Sequence, residues 1–160
     1  MTERSITIAK IKNGIVIDHI PAGHALLISQ VLGLNALARE TGDIIAVGVN
    51  FDSPSIHRKD IIKVENLSLT RDMLNMVALI APHATVSRIR EGDVFEKHKV
   101  EVPEEVGDIV ICPDRLCITN HEHIPGKFTV VKADPLTLMC HFCETRFFGP
   151  LIRYKERGAR

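Results

Sequence analysis

The chain has 160 residues, enough for one domain or two small ones, with an ordinary 45% hydrophobic content. Lys+Arg and Asp+Glu balance at 20 each; the sequence shows no basic excess of the kind nucleic-acid binders carry. No apolar stretch reaches the ~18 residues that cross a bilayer, so a soluble protein is expected.

Residues 1–5 precede no apolar h-region or cleavage site, which points to the cytoplasm. Residues 6–20 run apolar around Lys12-Asn13-Gly14, and Asn-Gly predicts a hairpin with strands near 6–12 and 14–20. After Pro21-Ala22-Gly23, the spacing of Leu26, Leu27, Gln30, Val31, Leu34, Leu37 and Ala38 predicts an amphipathic helix over 24–39, weakened by Gly33. Residues 44–51 read as a buried strand. Residues 59–66 alternate, so Ile62 and Val64 share one face and Lys59, Ile61, Lys63 and Glu65 the other.

Thr70 is positioned to cap a second helix, with Met73, Leu74, Val77, Ala78 and Ile80 as its apolar stripe, and Ala81-Pro82 ends it. Residues 84–90 and 94–100 flank Glu91-Gly92-Asp93 as a further hairpin. The order is strand pair, helix, strand pair, helix, strand pair. It predicts an α+β fold: an N-terminal ferredoxin-like sheet over residues 1–100 with two helices on one face. Residues 101–110 form a junction. The remainder of 101–160 is β-rich, with turns at Pro125-Gly126 and Asp134-Pro135, and buries too little surface to fold unaided. The basic tail Arg153, Lys155, Arg157 and Arg160 reads as a solvated terminus.

All four cysteines lie in that small second domain, as Cys112-x4-Cys117 and Cys140-x2-Cys143, 22 residues apart. Two such hooks can close a tetrahedron of thiolates around one structural zinc ion. Two disulfides need an oxidising compartment, which nothing in the sequence announces, and iron on four thiolates is the other metal reading. With four sulfurs the site is closed, so His121, His123 and His141 are read as bystanders and a catalytic metal with an open position is disfavoured. The sequence has no G-x-x-x-x-G-K, G-x-G-x-x-G or G-x-S-x-G, and its thiols are committed to metal. The residues alone therefore predict a protein that is not an enzyme. A zinc-ribbon nucleic-acid-binding protein is the rival reading, against which the even charge counts.

Four ordered segments carry a resemblance. Residues 14–22 (GIVIDHIPA), 58–66 (RKDIIKVEN), 81–89 (APHATVSRI) and the cysteine hooks with Ile111-Cys112-Pro113 together resemble the aspartate carbamoyltransferase regulatory chain. The resemblance implies a non-catalytic allosteric subunit in pyrimidine biosynthesis. Its N-terminal domain would bind nucleotide effectors, CTP and ATP with UTP a further candidate. Its zinc domain would dock on the catalytic chain, and regulatory chains would pair as homodimers. The same resemblance places Asp18 and His19 near ribose and phosphate, Lys63 at ribose and phosphates, and Lys97 at the phosphates. It sets the Ile11 backbone against the base, with Ile61, Thr85, Ser87, Ile89 and Val94 lining the pocket. Gly92 and Ser87 stand where some members carry tyrosine and asparagine, which implies altered base selectivity. No nucleic acid and no membrane are expected as partners.

Overall fold

The computed structural model describes residues 6–156; residues 1–5 and 157–160, with Arg157 and Arg160 of the basic tail, lie outside them. The first sheet is five-stranded and antiparallel. It contains β1 (Gly14–Pro21), β2 (Ile45–Ser53), β3 (His57–Glu65), β4 (Thr85–Arg90) and β5 (Asp93–Lys99), in the order β2-β3-β1-β4-β5. Leaving out β5 gives the ferredoxin-like order, with β1 and β3 central.

Ile15, Ile17, Ile62, Val64 and Val86 form the buried face of this sheet, in register as Ile15–Val64, Ile17–Ile62 and Ile17–Val86. Helices α1 (Ala25–Val31), α2 (Leu34–Thr41) and α3 (Arg71–Ile80) cover it with Ala25, Ile28, Val31, Leu34, Met73, Met76 and Val77. Thr70 caps α3 as expected, its hydroxyl accepting from the Met73 amide at 3.3 Å.

Three expectations need correction. The N-terminal hairpin does not form: residues 6–13 are not a strand, because β3 and β4 already occupy both edges of β1. Asn13 instead ties loops together, its carbonyl accepting from the Asn66 amide at 3.0 Å and its side chain from the Glu91 amide at 3.0 Å. The helix predicted over 24–39 is two helices, so three cover the sheet. Gly33 at φ 68° breaks the first, a left-handed conformation that glycine adopts without steric cost. The strand predicted as buried is an edge strand, with Val49 40% exposed.

Asp60 is fully buried on β3 and joins three segments. One carboxylate oxygen accepts from the Gly23 and Ala25 amides, at 2.8 and 2.9 Å, and the other from the Asn50 amide at 2.8 Å. It thereby satisfies an orphan donor at the start of α1, which has no side-chain cap of its own, and fixes the bulge in β2 where Asn50 has φ 64°.

The second sheet runs β6 (Glu105–Val106), β8 (Phe128–Ala133), β9 (Leu136–Cys140) and β10 (Arg146–Phe148) in the order β10-β9-β8-β6. Strand β7 (Val110–Ile111) pairs with β11 (Arg153–Tyr154), α4 (Ile118–His121) is a single turn, and a 3-10 turn spans Gly149–Leu151. The module's core is small: Val106, Val110, Phe128, Leu138 and Phe147, with the two phenylalanine rings edge to face at 5.8 Å. The predicted turn at Asp134-Pro135 joins β8 to β9, and Gly126 closes against Asp108, whose carboxylate accepts its amide at 2.6 Å. Among the described residues no helix is long and apolar enough to cross a membrane.

Candidate metal centre and open sheet face

The hooks bring Cys112, Cys117, Cys140 and Cys143 together, with their sulfurs all within 4.8 Å of one another and no disulfide among them. Cys112 and Cys143 are 3.6 Å apart and Cys117 and Cys140 3.8 Å. A tetrahedron of sulfurs about 2.3 Å from an ion has edges of about 3.8 Å, which these two distances match. The amides of Asp114, Thr119 and Phe142 hydrogen-bond to sulfurs of this cluster, as does the Thr119 hydroxyl. Such donors favour the thiolate form that binds metal.

Burial pushes the Cys112 and Cys140 thiols up. Burial opposes ionisation of Cys117 too, but the Thr119 hydroxyl and amide, with the Cys140 and Cys143 thiols, together lower that thiol to about 7. The histidines stand aside: the His141 ring meets Phe142 edge-on at 5.6 Å, and His121 Nε2 hydrogen-bonds the Arg115 carbonyl at 2.6 Å. What the arrangement can do chemically is hold an ion closed off by sulfur, with no open position for a substrate.

The nucleotide candidates lie on the face of the first sheet opposite the helices. Strand registers align them in rows. Lys63, Val16, Ser87 and Lys97 form one row across β3, β1, β4 and β5. Ile89 pairs with Val94 on one side of it. On the other side Asp18 pairs with Thr85, Thr85 with Lys99, and Ile61 lies two residues before Lys63 on the same face.

Asp18 and His19 would point to opposite faces of a regular strand. The register slips between Ile17 and Ile20, His19 adopts φ 57°, and its Nδ1 lies 2.9 Å from the Thr85 hydroxyl. A bulge thus turns both residues toward one face.

The structure does not gather the candidates into one pocket. Ile11, Lys63, Ile89 and Val94 line a cavity of 240 Å³ with Lys10, Val16, Gly92 and Asp93. His19 and Thr85 line a larger one of 480 Å³ with Pro21, Ile56, Arg58, His83 and Lys99. Asp18, Ile61, Ser87 and Lys97 line neither of these two and belong to the sheet rows themselves. The segment before β1 crosses this face: Lys63 Nζ donates to the Ile8 and Ala9 carbonyls at 3.2 and 3.0 Å. A side chain at Gly48 would collide with Ile8 at 2.6 Å.

Arg58 and Lys99 put charge on the wall of the larger cavity. Burial works against the Asp18 carboxylate, but Lys59 at 2.8 Å and the His19 amide at 2.7 Å hold its pKa below the usual carboxylate value. Arg58 is paired with Asp52 at 3.2 Å, whereas Lys97 and Lys99 have no ion pair among the described residues. The resemblance did not supply Lys59, Arg58, His83 or Lys99. Lys59 is legible in the alternation of β3, which puts it on the face of Lys63; the others need the tertiary structure.

Comparison with known proteins matches both halves of the chain. Residues 6–101 match the family model for the aspartate carbamoyltransferase regulatory chain, allosteric domain, and residues 104–150 that for its metal binding domain. Among curated proteins, the aspartate carbamoyltransferase regulatory chain of Pyrococcus horikoshii is 45% identical over 139 residues, covering 87% of this chain and 90% of that one. That of Thermococcus gammatolerans is 42% identical over 142 residues, covering 89% and 92%. That of Thermoplasma volcanium is 41% identical over 145 residues, covering 90% and 93%.

Proposed function

The chain belongs to the family of aspartate carbamoyltransferase regulatory chains, and from that premise we propose that it binds nucleoside triphosphates on its open sheet face and controls a catalytic chain through its cysteine module. It is a regulatory and not a catalytic subunit, with a metal-binding module. Its partner is the catalytic chain, and regulatory chains pair as homodimers. Its effectors are CTP and ATP, with UTP a further candidate. Its metal is zinc, chosen because four thiolates at tetrahedral spacing suit that ion. Residues 1–100 form the sensing domain and 101–160 the domain that meets the catalytic chain. The setting is the cytoplasm, where free thiols load metal readily.

One observation carries the reading: Lys63 and Lys97 stand in a single row, with an apolar cleft of Ile11, Ile89 and Val94 at one end and Lys59, Arg58, His19 and Lys99 at the other. Base and ribose suit the apolar end, where Ile11 lines the cleft. The triphosphate suits the row and the basic end, where two or more cations can offset its charge. Lys63 has three donors and holds two carbonyls, so a phosphate oxygen would share it or displace the 8–9 segment. A nucleotide that binds one quaternary state better than the other would shift the assembly by that difference.

Isothermal titration of the zinc-loaded chain with CTP, ATP and UTP, separately and in pairs, tests the first half. Gel filtration with the cognate catalytic chain, followed by carbamoyltransferase assays with each nucleotide, tests the second. Saturable binding and a co-eluting complex with altered activity are expected. A chain that bound no nucleotide and ran alone with its metal in place would overturn the proposal.

A further inference from the structure

His83 both lines the larger cavity and touches the cysteine module. It sits between α3 and β4, on the cavity wall with His19, Arg58, Thr85 and Lys99. Its Nε2 lies 3.0 Å from a carboxylate oxygen of Asp134, 51 residues away in the turn between β8 and β9. That turn belongs to the sheet whose strand β9 ends at Cys140, a member of the sulfur cluster. Asp134 itself does not line the cavity.

We infer that His83 is a positioning residue that couples occupancy of this cavity by a polyphosphate to the seating of the metal module, through Asp134. The inference rests on reading the open face as the nucleotide site. An imidazolium donates through both ring nitrogens, so one can hold Asp134 while the other meets a phosphate oxygen. The two anions then share one cation. Both side chains are exposed, 77% for His83 and 63% for Asp134. An exposed pair is weak, which suits a contact that must be made and broken. Linkage requires the effect to run both ways: phosphate tightens the His83–Asp134 contact, and that contact tightens phosphate.

The sign of one substitution separates this role from simple charge. Removing an acid near an anion site strengthens anion binding if only Coulomb repulsion is at work. If Asp134 acts by positioning His83, Asp134→Asn weakens it instead. The test is calorimetry on the full metal-loaded chain with CTP and with inorganic tripolyphosphate, in wild type, Asp134→Asn, His83→Gln and the double variant. Asp134→Asn is expected to weaken both ligands about two- to fivefold in wild type and to change nothing in the His83→Gln background. Hydrogen exchange in residues 132–137 should slow on adding CTP in wild type, and not in His83→Gln. The same Asp134→Asn effect in both backgrounds, tighter binding, or no effect would overturn the inference while leaving the nucleotide site standing. No binding of either ligand to wild type would overturn the site and the inference together.

Discussion

Lys97 and Asp18 stand on the proposed nucleotide face in contrasting surroundings. Lys97 is in a central row, free of ion pairs among the described residues, so its charge is available to a ligand. Lys97→Ala should weaken CTP and ATP binding about tenfold or more while leaving assembly with the catalytic chain intact, read by calorimetry and gel filtration. Asp18 behaves differently: burial opposes its charge, but Lys59 and the His19 amide outweigh burial and depress its pKa below 3.8. A depressed carboxylate contributes stability that is complete above its unfolded value and is lost as pH falls through the folded one. Wild type should therefore lose stability below about pH 4 more steeply than Asp18→Asn, in urea titrations repeated at several pH values. The Lys63 face can be read from alternation alone. The pairing of Asp18 with Lys59 cannot, since it joins residues 41 apart through a bulge.

At the scale of elements, Asp60 and Gly14 decide whether the open face exists. Asp60 accepts three backbone amides from the start of α1 and the β2 bulge, segments that also carry Pro21 and lead to Arg58 at the larger cavity. Asp60→Asn keeps the volume but sets an amide group against those donors. It should cost about 2–4 kcal/mol, seen as a lower urea midpoint with an unchanged slope. Gly14 opens β1 at φ 141°, where an added Cβ would lie 2.0 Å from the Val64 carbonyl oxygen. Gly14→Ala must force β1 and β3 apart, and should lower the thermal midpoint by several degrees or block folding. Helix α3, strand β3 and the β4–β5 hairpin are legible because local signals match their final surroundings: a capping threonine, strict alternation, and a glycine turn. The 6–12 strand is not, because Asn13-Gly14 carries a turn signal whether or not a neighbouring strand has room to pair. Only the sheet's strand order shows that β1 has no free edge to offer.

For the whole molecule, the four-sulfur cluster and the open sheet face lie on different modules, joined by the His83–Asp134 contact. The cysteine module has a core of a few residues, so the ion supplies the folding free energy that packing does not, on the order of 10 kcal/mol for such sites. Cys140→Ser, or a strong chelator, should unfold the module and release the catalytic chain while nucleotide binding survives, weakened about two- to fivefold by loss of the His83–Asp134 contact. Circular dichroism, gel filtration and calorimetry on the same sample would read all three. Loss of nucleotide binding along with the module would mean that the first sheet depends on the second.

The sequence by itself pointed to the four-cysteine site, because two short hooks can each offer two thiols to one ion, although the contacts that close it, Cys112 to Cys143 and Cys117 to Cys140, run between hooks. It also determined the ferredoxin-like order, which comes from local periodicity and short connections, and the family, which rests on four motifs in order. Tertiary structure alone decided that the N-terminal segment crosses the open face, that the candidate nucleotide residues split between two cavities and the sheet rows, and that His83 meets Asp134. Each of these depends on which chain segments pack together across long sequence separations, and that is set by strand order and the burial of the core rather than by any local pattern.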